Sequence, residues 1–251
     1  MPIVVWFMGR LGAMQSRQLG SLRARVVGGT DGKGGGQGPV IVLLHGFGAP
    51  GTDLVPFHQV FRVSSDVRWV FPEAPLDLGA LGFGPGARAW WMIDMAELEH
   101  AQRTGEVRDR SKSIPEGLPA VRAAMIELLD AVENELTPSK LVLGGFSQGA
   151  MVSMDVALHD ERPLAGLLQL SGTLLAESEW KPRMAKRAGL PVLQSHGRQD
   201  PLLPFSIAEQ LGALLTEAGM DTSFVAFNGG HDIPSETLEA MQGFFDRVLA
   251  V

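Results

Sequence analysis

Residues 140–149, KLVLGGFSQG, constrain this chain more than any other stretch. Leu141, Val142 and Leu143 form a short apolar run suited to a strand buried on both faces. Two glycines then permit a sharp bend with Ser147 at its tip, and an apolar helical segment over 150–158 follows. A G-x-S-x-G between a strand and a helix lets neighbouring backbone approach closely, and the strained turn lifts the serine hydroxyl out of the sheet. Ser147 is the candidate nucleophile.

Upstream, residues 39–44 read as a second buried strand, running into His45-Gly46-Phe47-Gly48-Ala49-Pro50-Gly51. A glycine-rich turn after an early strand can face a substrate carbonyl with a bare backbone N–H, so the candidate oxyanion donors are the N–H groups of Phe47 and Gln148. His45 comes too early for the acid–base role and reads as a structural hydrogen-bonding group. Residues 52–61 read as a helix, 67–71 as a strand and 72–86 as a loop rich in Pro and Gly. Trp90 and Trp91 follow, and with Leu174 and Leu202 they are the candidate pocket residues; adjacent aromatics suit an acyl-pocket wall and core packing equally. The charged stretch 96–113 is a solvated helix or an excursion over the site, too short for a cap domain. Leu118, Val121, Met125, Leu128, Leu129, Val132 and Leu136 recur at helical spacing, so a long amphipathic helix ending before Pro138 delivers the chain to the serine turn.

Downstream, strands are expected at 164–170, 191–194 and 223–227. Helices are expected at 177–187, from a Ser206–Glu209 capping box to a closing Gly219, and over 235–249. Asp200 leaves the second of those strands, and His231 follows two glycines after the third. Ser147, Asp200 and His231 thus occur in the order and placement of the α/β-hydrolase triad. Each member is needed: the hydroxyl is a weak nucleophile at neutral pH, an imidazole must take its proton, and a carboxylate must hold the imidazole tautomer.

Other classes are bounded by composition. With 251 residues, 45% of them hydrophobic, and no repeat, the chain can bury one large core. We divide it into an N-terminal extension, residues 1–38, with an edge strand at 19–27 and a glycine-rich loop at 28–38, and a catalytic region, 39–251, in one domain overall. The loop is not a phosphate loop, since it lacks the G-K-S/T ending and precedes a strand. Residues 1–8 are apolar but lack a basic n-region, which argues against a signal peptide. An added strand, a subunit-docking arm, or an upstream start with Met14 as the natural one remain open. A net charge of −7 disfavours nucleic acid and anionic membrane as partners. Absence of cysteine removes disulfides and thiol chemistry. No apolar run suits a membrane span, and a cytoplasmic location is expected.

LHGFG at 44–48, GGFSQGA at 144–150, HGRQDPLLP at 196–204 and GGH at 229–231 together resemble the phospholipase/carboxylesterase family of small α/β-hydrolases, which includes the acyl-protein thioesterases. The resemblance covers roughly residues 39–249. It implies an α/β-hydrolase fold, with a mostly parallel central sheet flanked by helices and no large cap domain. It further implies a triad of Ser147, Asp200 and His231, an oxyanion hole of the Phe47 and Gln148 N–H groups, and no metal or cofactor. Trp90 to Asp94 is similar to the family's Trp-aromatic-Asp segment, but two residues separate Trp91 from Asp94 here. Ala49-Pro50, the stretch 96–113 and the first thirteen residues also depart from the pattern. The expected activity is a serine carboxylesterase acting on short- to medium-chain esters, with an acid limb near the ordinary histidine pKa of about 6.5. An acyl thioesterase or lysophospholipase acting on long-chain acyl groups is the alternative, and a non-catalytic hydrolase-fold binding protein a minor one. The expected partner is a small-molecule ester, and a homodimer is open.

Overall fold

The computed structural model describes residues 14–105 and 108–250. The readings for residues 1–13 lie outside that range. The chain opens with β1 (Gln15–Leu19) and β2 (Leu22–Gly28), an antiparallel hairpin turning at Gly20 with φ 56°. The single edge strand expected at 19–27 is therefore corrected to two. The alternation is genuine, but a residue with positive φ interrupts it at Gly20. Next come β3 (Val40–Leu44), a single-turn α1 (Phe57–Val60) and β4 (Arg68–Pro72). The helix expected over 52–61 shrinks to that one turn; Pro56, which has no N–H to give, stands immediately before it. A small ribbon, β5 (Leu76–Asp77) with β6 (Arg88–Ala89), precedes α2 (Met95–Thr104), whose N-cap Asp94 accepts the Glu97 N–H at 2.9 Å.

The long amphipathic helix is α3 (Leu118–Ala131), continued by a π turn over Val132–Leu136. Then follow β7 (Leu141–Phe146), α4 (Gln148–His159), β8 (Gly166–Leu170), α5 (Glu177–Met184), β9 (Pro191–Gly197), α6 (Phe205–Glu217), β10 (Asp221–Phe227) and α7 (Ser235–Val248). Gly219, with φ 83°, closes α6 as expected. The capping box is corrected: Pro204 occupies the N-cap position, so Ser206 already lies within the helix and makes no capping bond.

Eight strands form one sheet in the order β1-β2-β4-β3-β7-β8-β9-β10, antiparallel through β2–β4 and parallel thereafter. Alternation along β3 sorts the core. Val40, Val42 and Leu44 face a layer that includes α3 to α6, whereas Ile41 and Leu43 face one built with α1 and α7. Leu19, Leu22, Ala24 and Val26 of the hairpin join the first layer, so the sheet runs unbroken across residue 38. Chain order reverses between β3 and β7, which places a crevice at their carboxyl ends. This is an α/β-hydrolase fold without a large cap insertion.

Candidate active site

Ser147 stands between β7 and α4 with φ 56° and ψ −119°, a backbone that L-residues avoid. Its N–H is held by Leu170 O at 2.8 Å. The turn is tight because strand β3 passes directly against it: a Cβ on Gly149 would sit 2.2 Å from Leu44 O, and one on Gly145 would sit 2.5 Å from the Gly149 carbonyl carbon. Glycine is required at both positions for that approach.

Asp200 leaves β9, and its side chain is fully buried. Oδ1 accepts the N–H groups of Leu202 and Leu203 at 2.8 and 3.0 Å. Oδ2 lies 2.6 Å from His231 Nδ1 and 3.2 Å from His196 Nε2, the latter also 2.9 Å from Leu203 O. Burial alone would raise the Asp200 carboxyl, but the His196, His231 and Leu203 hydrogen bonds prevail and hold it well below the carboxylate range. His231 packs against Phe146, ring centroids 4.9 Å apart, and the loop carrying it is pinned where Ser171 Oγ donates to Asp232 O at 3.1 Å.

Ser147 and His231 line one cleft of about 1780 Å³ together with Phe47, Gln148, Trp90, Trp91 and Leu202. Ser147 Oγ, Phe47 N–H and Gln148 N–H make no hydrogen bond among the described residues, so three polar groups are left to the cleft. Burial pushes up the Asp53 carboxyl on the cleft wall. Leu174 does not line the cleft: it is buried in the core, and its neighbours Thr173 and Leu175 provide the wall. Trp90 and Trp91 belong to the core cluster and also line the cleft. His45 is structural, as expected. Sequence reasoning assigned no role to His196, although it stands one helical turn's spacing before Asp200 in the same motif.

Asp155, His159 and Glu179 bring possible metal ligand atoms within 4.8 Å of one another. Arg122 already occupies their faces, with Nε 2.6 Å from Asp155 Oδ2 and Nη2 2.9 Å from Glu179 Oε2. A cation there would meet a guanidinium, so the cluster is an ion-pair network joining α3, α4 and α5. Among the described residues no helix is long and apolar enough to cross a membrane.

A sequence profile described as Phospholipase/Carboxylesterase matches residues 32–249. The chain belongs to that family. Within the phospholipase/carboxylesterase family it is 30% identical over 215 residues to Carboxylesterase SOBER1 of Arabidopsis thaliana, covering 83% of this chain and 90% of the relative. It is 29% identical over 220 residues to Acyl-protein thioesterase 1 of Debaryomyces hansenii, with the same coverages. Among solved structures, esterase PE8 superposes with a TM-score of 0.76 at 26% identity, covering 90% of this chain and 99% of that one. Like its family, the chain is a hydrolase of the esterase and thioesterase type, acting on acyl or ester groups.

Proposed function

We propose that this enzyme is a serine hydrolase of long-chain acyl esters and thioesters. The observation that carries the chain length is the cleft mouth: of the five large apolar side chains exposed among the described residues, Leu76, Phe83, Met92 and Ile114 line the cleft. Apolar side chains left in water around one opening suit an extended hydrocarbon better than a short acyl group. The volume exceeds the 300–1,000 Å³ or so of ordinary small-ligand pockets. The short- to medium-chain reading made from sequence therefore takes second place.

In this mechanism Ser147 Oγ attacks the acyl carbonyl while His231 Nε2 takes its proton, and Asp200 holds the ring through Nδ1–H. The oxyanion is received by the N–H groups of Phe47 and Gln148. His231 returns the proton to the departing alcohol or thiol, and water then attacks the acyl-enzyme by the same route to release the acid and free Ser147.

The test is kcat/KM over p-nitrophenyl esters from two to sixteen carbons beside a palmitoyl thioester, with Ser147→Ala as blank. A maximum at twelve or more carbons or on the thioester, abolished in the variant, is expected. A maximum at two to six carbons would return the short-chain reading, and activity retained by Ser147→Ala would sink the mechanism.

A further inference from the structure

The side chain of Gln148 is buried at the bottom of the cleft. Its Oε1 accepts the Trp90 N–H at 2.9 Å, and its Nε2 donates to Trp91 O at 2.9 Å. The Trp90 indole Nε1–H in turn donates to His45 O at 2.9 Å. His45 Nε2 accepts the Ala74 N–H at 3.1 Å, which leaves the ring proton on Nδ1, donated to Gly46 O at 2.8 Å. On the far side of Phe47, Gly48 N–H donates to Arg88 O at 2.8 Å and Arg88 N–H to Ala49 O at 3.2 Å. Hydrogen bonds and the short peptide segments 45–46 and 88–90 thus link the residue after the nucleophile to both flanks of Phe47.

Phe47 and Gln148 belong to turns that follow different strands, β3 and β7. An oxyanion site needs its donors within a few tenths of an ångström of the charge they receive, and displacement by about 1 Å costs on the order of a hundredfold in rate. We propose that the Gln148 side chain, acting through Trp90 and His45, is a positioning group that sets the separation between the Phe47 and Gln148 N–H donors. The inference rests on the reading of Ser147 as nucleophile.

A primary amide suits the position because Trp90 offers an N–H and Trp91 a C=O, and the amide supplies one acceptor and one donor in one plane at any pH. A carboxylate would set a lone pair against Trp91 O, and methionine would leave both backbone groups unpaired. Because burial keeps His45 neutral down to about pH 4, this linkage does not change above that pH.

The experiment compares Gln148→Met, Trp90→Phe and the double variant with wild type. It reads kcat, KM, the unfolding midpoint and affinity for a long-alkyl trifluoromethyl ketone, whose hemiketal oxyanion with Ser147 needs both donors. Gln148→Met should lower kcat about tenfold to a hundredfold with KM changed less than about twofold, and ketone affinity should fall by the same factor as kcat. Trp90→Phe should lose less, and the double variant should be no worse than Gln148→Met, as expected for groups acting as one unit. Folded variants with wild-type kcat and ketone affinity overturn the proposal, as does a loss confined to KM. Should Gln148→Met not fold, folded Trp90→Phe decides by kcat and ketone affinity read beside its unfolding midpoint, since it removes the indole N–H together with part of the buried ring, and wild-type values of both overturn the proposal. Ser147→Ala run in parallel separates the two levels. Its failure to abolish activity refutes the nucleophile, whereas its inactivity beside an unimpaired Gln148→Met refutes the positioning role alone.

Discussion

At His45, burial disfavours the imidazolium and pushes the pKa down to about 4, with Arg88 adding repulsion. In the unfolded chain the same ring takes a proton near pH 6.5, so between about 6.5 and 4 the unfolded state binds more protons than the folded one. Stability should therefore fall as pH drops through that window, by about 1.4 kcal/mol per unit and about 3 kcal/mol in all. Urea unfolding at pH 7 and pH 4.5 measures it, and His45→Asn should show a flatter dependence from a lower starting point. Asp200 titrates lower. Its folded-state carboxyl is depressed, so its contribution is present above the unfolded carboxylate pKa of about 3.9 and is lost only as pH falls below that. Asp200→Asn should lower kcat by about 10⁴-fold while Ser147 remains labelled, slowly, by an organophosphonate. Active-site titration checks it.

Among the elements, α3, α4 and α5 meet at Asp155, which is fully buried between Arg122 and the Trp180 indole N–H, 2.8 Å away. Arg122→Ala takes the guanidinium from that buried carboxylate, leaving it the Trp180 N–H and His159, and should cost about 3 kcal/mol in denaturant unfolding. Sequence periodicity could place the helices but not this network, because one arginine and one aspartate on separate helices look like ordinary surface charges. The same limit explains other departures. The serine turn, its glycines and the Ser147, Asp200, His231 order were legible because local backbone demands dictate them. The cut-down helix at Phe57–Val60, the hairpin turn at Gly20 and the Pro204 cap depend on single residues that a periodic pattern passes over. Leu174 and Leu175 differ only in which way each side chain faces, and adjacency in sequence cannot tell the core from the cleft.

In the whole molecule, the hairpin is part of the central sheet. Removing residues 14–28 would uncover the β4 edge and take Leu19, Leu22, Ala24 and Val26 out of the core, so the shortened chain should be insoluble on expression. The crevice where the chain order reverses gathers its polar groups from the ends of four parallel strands, β3, β7, β9 and β10, and the proposed nucleophile there carries a strained backbone. Ser147 holds a strained, positive-φ backbone at a cost of about 1–3 kcal/mol that glycine would not incur. The position proposed as nucleophile is thus one where the fold would prefer a different amino acid. Ser147→Gly should be inactive yet melt several degrees higher than Ser147→Ala, a trade of robustness for reactivity that calorimetry of the two variants would read directly.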